Sequence, residues 1–264
     1  NSPAGSTRSV SGAISSNGKI LAYGSSGAPI SLLEEEVTAD TRTIWAPRGS
    51  ISDGGWCAGR GRKFFGYSLA LSADGSVLIA SCPDLDTLSS SGPLVFFRRH
   101  VASDGRVTYP VVGHLDSPSV TDVFGEHIAL AGSGRTLLVS SRTQDSMSGR
   151  FRGHVHVFDL NSALGVGRSR ILDPGDAEDE DGFGQTMAVS DDGLTALIGA
   201  PLHGLTTPGS PWGAAYVFQR EFISFDLQQS SKLQAADRAA NQFGAAVSIS
   251  RDGLRALIGA SLDG

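Results

Sequence analysis

The densest group of side chains able to do chemistry is an acidic segment between residues 173 and 181. Its six carboxylates belong to Asp173, Asp176, Glu178, Asp179, Glu180 and Asp181. Carboxylate oxygens bind hard cations, and carboxylate pairs serve as acid and base in glycosidases. However, a run of like charges is typical of a solvated loop, and nothing in this sequence singles out a catalytic pair. We therefore favour a solvated acidic loop, with a metal site as the alternative.

Two histidines, His154 and His156, alternate with valines, so they would share one face of a strand. Imidazoles placed in this way could bind one metal ion, but a stable site needs further ligands. None is evident nearby in the sequence, which favours packing of both rings.

The sequence lacks the signatures of common catalytic sites, namely a Gly-x-Ser-x-Gly elbow, a His-Glu-x-x-His helix and a phosphate-binding glycine loop. Its formal net charge of -6 argues against a nucleic-acid-binding surface. No apolar run approaches the roughly 20 residues that span a bilayer. We expect a noncatalytic protein that binds no nucleic acid and does not insert into a membrane within this segment.

The elements that must position these residues recur with a nearly fixed period. Phe-Gly pairs begin at residues 65, 124, 183 and 243, which are 59, 59 and 60 residues apart. Glycines of tight turns extend the register back to a degenerate first unit: Gly18, Gly75, Gly134, Gly193 and Gly253. A second series with nearly the same period comprises Gly92, Gly153 and Gly213. A period of this size with strand signals indicates a repeat architecture.

Each complete unit contains four predicted strands. In the unit that begins at Phe65 they are Tyr67–Leu71, Ser76–Ala80, Pro93–Arg98 and Val107–Val112, joined by Asp-Gly turns. The second strand of each unit is apolar throughout instead of alternating, which indicates that both sheet faces are covered. Four-stranded antiparallel sheets stacked face to face predict an all-β fold, the β-propeller.

The predicted units span approximately residues 1–56, 57–115, 116–174, 175–234 and 235–264 of a single propeller domain. The last unit ends after its second strand, so we expect four units and a half unit of an incomplete ring. The chain would then be a fragment of a larger propeller, for which seven blades is a candidate number. A five-bladed ring is the alternative.

The two cysteines, Cys57 and Cys82, lie in connections that emerge at the same end of a blade. A disulfide between them is geometrically feasible, and two buried thiols are the alternative. A disulfide would indicate an oxidising compartment.

At its Phe-Gly pairs, the sequence resembles the repeats of the FG-GAP family. The resemblance also rests on Gly199-Ala200-Pro201, with the weaker versions Gly259-Ala260-Ser261 and Ser81-Cys82-Pro83, and on Gly213–Phe218 and Ser231–Gly244. It covers nearly the whole chain. It implies a propeller like those of integrin α-subunit heads and bacterial surface proteins, located outside the cell or at its surface.

Many members of that family bind calcium in an aspartate-rich loop between the first two strands. The corresponding turns here contain at most two carboxylates, as in Asp191-Asp192-Gly193. Calcium takes about 6–8 oxygen ligands. We therefore expect no calcium in these turns, and we predict no other cofactor.

The loops between second and third strands vary among units while the strands do not, which suits a recognition surface. The candidate segments are Asp84–Ser91, Arg142–Arg150 and His203–Trp212, and the candidate contact residues are Asp84, Asp86, Arg142, Asp145, His203 and Trp212. We predict a noncatalytic extracellular or cell-surface module for adhesion, for protein or glycan recognition, or for structural assembly with further copies or domains. An accessory propeller of a secreted hydrolase and an intracellular protein-interaction scaffold are the alternatives.

Overall fold

The structure, a computed structural model, describes residues 10–25, 28–57, 64–83, 92–118, 122–144, 151–204, 213–235 and 241–261. These residues form strands and no helix. In chain order the strands are β1 (Val10–Ile14), β2 (Ile20–Ser25), β3 (Ile30–Val37), β4 (Thr43–Ile51), β5 (Leu69–Leu71), β6 (Val77–Ser81), β7 (Leu94–Arg98), β8 (His100–Val101), β9 (Val107–Thr108), β10 (Val111–Leu115), β11 (Asp122–Leu130), β12 (Thr136–Gln144), β13 (Phe151–Leu160), β14 (Val166–Leu172), β15 (Thr186–Val189), β16 (Thr195–Ala200), β17 (Ala214–Arg220), β18 (Leu227–Leu233), β19 (Asn241–Ile249) and β20 (Ala256–Ser261).

The strands pair into antiparallel sheets that we call blades 1 to 5. Blade 1 contains β1–β4, blade 2 contains β5, β6, β7 and β10, blade 3 contains β11–β14 and blade 4 contains β15–β18. Blade 5 contains β19 and β20. The first strands of successive blades contact one another in the order β1, β5, β11, β15 and β19. This is the organisation of a β-propeller, and the described residues do not close the ring.

The outer strand of blade 2 differs from the prediction. The sequence predicts it at Val107–Val112, but the strand that pairs with β7 is β10, Val111–Leu115. Residues Val107–Thr108 pair instead with His100–Val101 and lengthen the hairpin. The register of β10 also shifts between Val111 and Gly113. An apolar pattern cannot show where a long hairpin changes its pairing partner.

The apolar second strands are covered on both faces, as predicted. In β6, Leu78 and Ala80 pack against blade 1, whereas Val77 and Ile79 pack against blade 3. The side chains of β12 divide in the same way between blades 2 and 4. The exception is β20, where Leu257 is 74% exposed. Burial of apolar surface between blades is the main favourable term in folding, at about 25 cal/mol per Å².

A serine and an aspartate close the turn between the first two strands of a blade. In blade 2 the Ser72 hydroxyl donates to the Asp74 carboxylate (2.7 Å), which also accepts the Ser76 backbone N–H (2.9 Å). Burial alone would raise the pKa of Asp74. The hydrogen bonds to its carboxylate outweigh this effect, so its pKa lies below the usual value. Equivalent bonds form at Ser15/Asn17, Ser190/Asp192 and Ser250/Asp252. The aspartate carboxylates, and the Asn17 amide oxygen in blade 1, therefore hold the backbone of these turns.

Backbone hydrogen bonds also join the turns to one another. In each bond, a backbone N–H of one turn donates to a backbone carbonyl oxygen of the turn in the next blade. From blade 1 to blade 5, the donors and their acceptors are Asn17 and Ala73, Ala73 and Gly132, Ser133 and Asp191, and Asp191 and Arg251. Their donor–acceptor distances lie between 2.8 and 3.2 Å. One end of every described blade is thus tied to the next.

In blades 2, 3 and 4, the phenylalanine of the Phe-Gly pair packs on the third strand of its own blade. The ring centroids lie 6.1–6.2 Å apart in the pairs Phe65–Phe97, Phe124–Phe158 and Phe183–Phe218. The glycine that follows faces the preceding blade. A side chain at Gly184, whose φ is +89°, would meet Val155 of blade 3. Each pair therefore lies at the contact between two blades.

Two glycines of the second series, Gly153 and Gly213, meet Phe-Gly pairs at this same contact. Gly153 in β13 lies against the backbone of Phe183, and Gly213 forms a parallel bridge with Phe243. A methyl group at Gly153 would overlap the Phe183 carbonyl oxygen. At the contacts between blades 3 and 4 and between blades 4 and 5, the two glycine series therefore face each other, whereas Gly92 lies against Cys82 and Pro83 of its own blade.

Replacement of Gly153 by alanine tests this contact. We expect Gly153→Ala to lower the free energy of unfolding by about 2–3 kcal/mol, because the backbone of Phe183 must move to admit the methyl group. Gly175→Ala is the matched control, since nothing lies within 4 Å of its added carbon. Urea unfolding followed by circular dichroism measures both, and equal stability of the two variants would contradict the proposed role of the contact.

Candidate functional site

The acidic segment passes from blade 3 to blade 4 and is bonded to both. The Glu180 N–H donates to the Phe151 carbonyl oxygen at the start of β13 (2.7 Å). The Leu202 N–H donates to the Asp181 carbonyl oxygen (3.0 Å). Buried Phe183 follows directly. The carboxylates of the segment are therefore held at the junction of two blades.

A buried histidine organises the blade 4 side of this junction. His203 is 8% exposed, and its Nδ1 lies 2.6 Å from Oδ2 of Asp181, which is also buried. Its Nε2 lies 2.7 Å from Nζ of Lys232. Because an ammonium group only donates, Nε2 accepts, and Nδ1 donates its proton to Asp181. The imidazole therefore links a buried carboxylate to an ammonium group.

Lys232 and Tyr216 extend this chain of contacts to Asp176. Lys232 Nζ donates to one oxygen of Asp176, and the Tyr216 hydroxyl donates to the other at 3.1 Å. Burial raises the pKa of Asp176, but the hydrogen bonds and the positive charge of Lys232 outweigh it and lower the pKa. Burial, followed by the charge of Asp176, raises the pKa of Tyr216. At neutral pH, Asp176 is therefore ionised and Tyr216 is protonated.

These contacts revise two interpretations from the sequence. The acidic segment is not uniformly solvated, because Asp181 is buried and Asp176 is ion-paired with Lys232. His203 lies inside the blade 4 network, so its ring is not presented on the surface of the loop. Asp181 and His203 hold the connection between blades 3 and 4 in place.

A polar cavity opens beside this network, between blades 3 and 4. Its volume is about 260 Å³. The polar side chains come from Glu126, His127 and Arg142 of blade 3 and from Glu180 and Gln185 at the entry to blade 4, with Phe151 as the aromatic member. The cavity therefore collects acceptors, donors and an aromatic ring from two blades.

Arg142 is held in one orientation within this cavity. Its Nε lies 2.9 Å from Oε2 of Glu126, and its Nη2 donates to Oε1 at 3.3 Å. The guanidinium carbon lies 4.8 Å from the centre of the Phe151 ring, a cation–π distance. On the opposite side, Oε1 of Glu180 accepts the Phe151 N–H at 2.7 Å. The charged walls are therefore fixed before any ligand enters.

Burial lowers the pKa of His127, although the charge of Glu126 opposes this effect. The His127 imidazole is therefore uncharged at neutral pH.

Burial also raises the pKa of the Tyr67 hydroxyl, and the negative charge of Glu126 adds to the increase. The cavity therefore contains two carboxylates and one guanidinium as its charged groups.

The paired histidines of β13 lie apart from the cavity. His156 is buried, and its ring contacts Phe124 and Phe158. Burial lowers its pKa, against the opposing charge of Asp122. His154 Nδ1 is buried without a hydrogen-bond partner. His156 therefore packs on its aromatic neighbours.

The structure joins Cys57 and Cys82 in a disulfide, with their Cα atoms 6.2 Å apart. Both cysteines are buried in the core between blades 1 and 2. The other predicted contact residues, Asp84, Asp86, Asp145 and Trp212, lie outside the described residues. Of the two predicted contact residues that the structure describes, Arg142 lines the cavity and His203 lies in the adjacent network.

Within the described ranges, no group of three or more His, Cys, Asp and Glu side chains could hold a metal ion. The same part of the chain contains no helix of the length and apolar character needed to cross a membrane.

The blade junction that builds the cavity also carries the family signature. Residues 168–218 match the model of the FG-GAP repeat. The chain carries an FG-GAP repeat. The matched residues run from β14 of blade 3 to β17 of blade 4, and they include Phe183-Gly184 and Gly199-Ala200-Pro201. The resemblance seen in the sequence is thus confirmed for this repeat. The chain has no match among curated proteins.

Several residues of the site were not predicted as functional. Glu126 and Gln185 each follow a Phe-Gly pair directly, at equivalent positions of neighbouring repeats, and this spacing could have identified them. Phe151 and Lys232 give no such signal, because each reaches the junction from an outer part of its sheet. The fold brings them there through β13 and β18.

The His203 network generates a stability prediction. His203→Leu should lower the free energy of unfolding by about 2 kcal/mol, because the buried Asp181 carboxylate loses its imidazole donor. His203→Asn should lose less than half as much, since its amide can donate from nearly the same place. Thermal unfolding at pH 7 measures both. Equal losses would show that the side-chain volume matters and the hydrogen bond does not.

Proposed function

We propose that this propeller module is noncatalytic and recognises a glycan through the cavity between blades 3 and 4. The observation that carries the proposal is the composition of the cavity, in which fixed acceptors and donors surround an aromatic ring. Pockets for drug-sized ligands have volumes of about 300–1,000 Å³. A cavity slightly below this range suits one sugar ring of a longer chain.

The charges of the cavity favour a neutral, hydroxyl-rich ligand. Glu126 and Glu180 would repel an anion, whereas Arg142 would oppose a cation. Sugar hydroxyls both donate and accept hydrogen bonds, so they can use the carboxylates as well as the guanidinium. The stacked Arg142–Phe151 pair adds a flat surface beside these groups. A glycan therefore uses more of this cavity than a simple ion would.

The hydrogen bonds of the two carboxylates support binding without hydrolysis. Both oxygens of Glu126 face Arg142, and Oε1 of Glu180 accepts a backbone N–H. A general acid must reach the proton acceptor on its substrate. Carboxylate oxygens already engaged by contacts within the protein are less free to do so. An accessory propeller of a hydrolase remains the alternative that activity measurements would identify.

The disulfide supports an extracellular or cell-surface location, because such bonds persist in oxidising compartments. In that location, recognition of glycans would serve adhesion or assembly.

A thiol count tests the proposed location. Protein taken from its native source, and alkylated at harvest, should contain no free thiol at Cys57 or Cys82. Mass spectrometry after denaturation without reductant measures this. Two alkylated cysteines would instead favour the intracellular scaffold.

A panel of immobilised glycans tests the proposed recognition. We expect binding of at least one neutral glycan, weakened at least tenfold by Glu126→Gln or Arg142→Gln, because each variant breaks the fixed pair. Arg106→Gln is the matched control, since its side chain is 76% exposed and far from the cavity in the sequence and the fold. Isothermal titration calorimetry measures the affinities. Binding that ignores both substitutions would refute the site, and release of free sugar from the bound glycan would favour a hydrolase.

A further inference from the structure

The hairpin between β17 and β18 presents the most exposed apolar side chains of the described residues. Phe222 and Ile223 are each 96% exposed, and Phe225 is 62% exposed. The three residues occupy one six-residue turn, Glu221–Asp226. Large apolar side chains clustered and exposed in this way mark an interaction site.

Charged side chains from blade 3 hold this hairpin in place. Arg220 binds both oxygens of Asp159, at 2.8 and 3.2 Å, and its Nη1 donates to the Phe225 carbonyl oxygen at 2.6 Å. Arg168 donates to the Ser224 carbonyl oxygen at 2.7 Å. The hairpin is therefore ordered before it meets a partner, which reduces the entropy lost on binding.

The polar backbone of the hairpin is largely paired within the protein. The Glu221 N–H donates to the Asp226 carbonyl oxygen, and the Phe225 N–H donates to that of Glu221. The Asp226 N–H donates to the Ser224 hydroxyl. Together with the arginine bonds, these contacts satisfy four carbonyl groups and three N–H groups of the turn, all of them at its base and outside Phe222 and Ile223. They hold the base of the turn in one conformation beneath the two apolar side chains.

The charges at the base of the hairpin balance. The guanidinium groups of Arg168 and Arg170 both contact Oδ1 of Asp226 at 3.1 Å. Arg220 pairs with Asp159, and the Glu221 carboxylate accepts the Ser224 hydroxyl. Three cations thus face three anions. This arrangement matches a zwitterionic surface better than an anionic one.

From this geometry we infer that the hairpin inserts Phe222 and Ile223 into the surface of a zwitterionic phospholipid layer. The apolar side chains enter the boundary of the acyl chains, and the base of the turn stays at the level of the headgroups. The paired backbone groups lie at the base of the turn, so the base keeps its shape while the two apolar side chains enter the layer. This attachment is peripheral and independent of the glycan cavity.

Vesicles of phosphatidylcholine test the inference. The protein should float with the vesicles at millimolar lipid, and the double variant Phe222→Ser/Ile223→Ser should lower the bound fraction at least tenfold. Val37→Ser is the matched control, because Val37 is exposed at the end of β3 beside the equivalent turn of blade 1. It should bind as the unchanged protein does.

A second variant guards against misfolding of the double serine variant. Phe222→Trp should still bind, and its fluorescence should shift to shorter wavelength and be quenched by bromine-labelled lipid. Failure of the unchanged protein to bind, or equal binding of the double variant, would overturn the inference. So would binding confined to phosphatidylserine vesicles and lost in salt, or analytical ultracentrifugation showing that Phe222 instead mediates self-association.

Discussion

A sheet that is apolar on both faces is stable in water only when another sheet covers each face. The second strands of blades 2, 3 and 4 create this requirement, and the neighbouring blades meet it. Close packing of two sheets brings their backbones together at the Phe-Gly pairs. Gly153 and Gly213 allow this approach, because they place no side chain against Phe183 and Phe243. The glycine series thus follow from the packing of blades.

The packing of blades also separates polar side chains that hold the backbone from those that face a cavity. At one end of the blades, aspartates such as Asp74 and Asp192 accept hydrogen bonds within their turns, and the turn backbones bond to one another. These carboxylates have a structural role at that end. At the other end, the connection between blades 3 and 4 carries carboxylates that also face a cavity. The cavity therefore lies at the end of the blades where carboxylates are not all committed to turns.

The period of the sequence was sufficient to predict the propeller, because repeated strand and turn signals describe local structure and a repeat packs mainly on its neighbours. The same period could have identified Glu126 and Gln185, which occupy equivalent positions in successive repeats, but neither residue was predicted to be functional. It could not predict the ion pair between Lys232 and Asp176, which depends on side chains from different parts of blade 4. Nor could it show that His203 turns inward. Loop composition alone does not determine which side chains a loop buries.

Equivalent turns of neighbouring blades show how one scaffold gains different surfaces. The turn between the third and fourth strands of blade 3 places Leu164 in the core with Phe158 and Leu160. In blade 4 the corresponding turn is bonded to Arg220 and Arg168, and its apolar side chains project into solvent. The bonds from Arg168 and Arg220 to backbone carbonyl oxygens hold the turn in a position in which the Phe222 side chain lies outside the core between blades 3 and 4. The same hairpin position therefore carries a buried apolar side chain in blade 3 and exposed ones in blade 4, on sheets of the same topology.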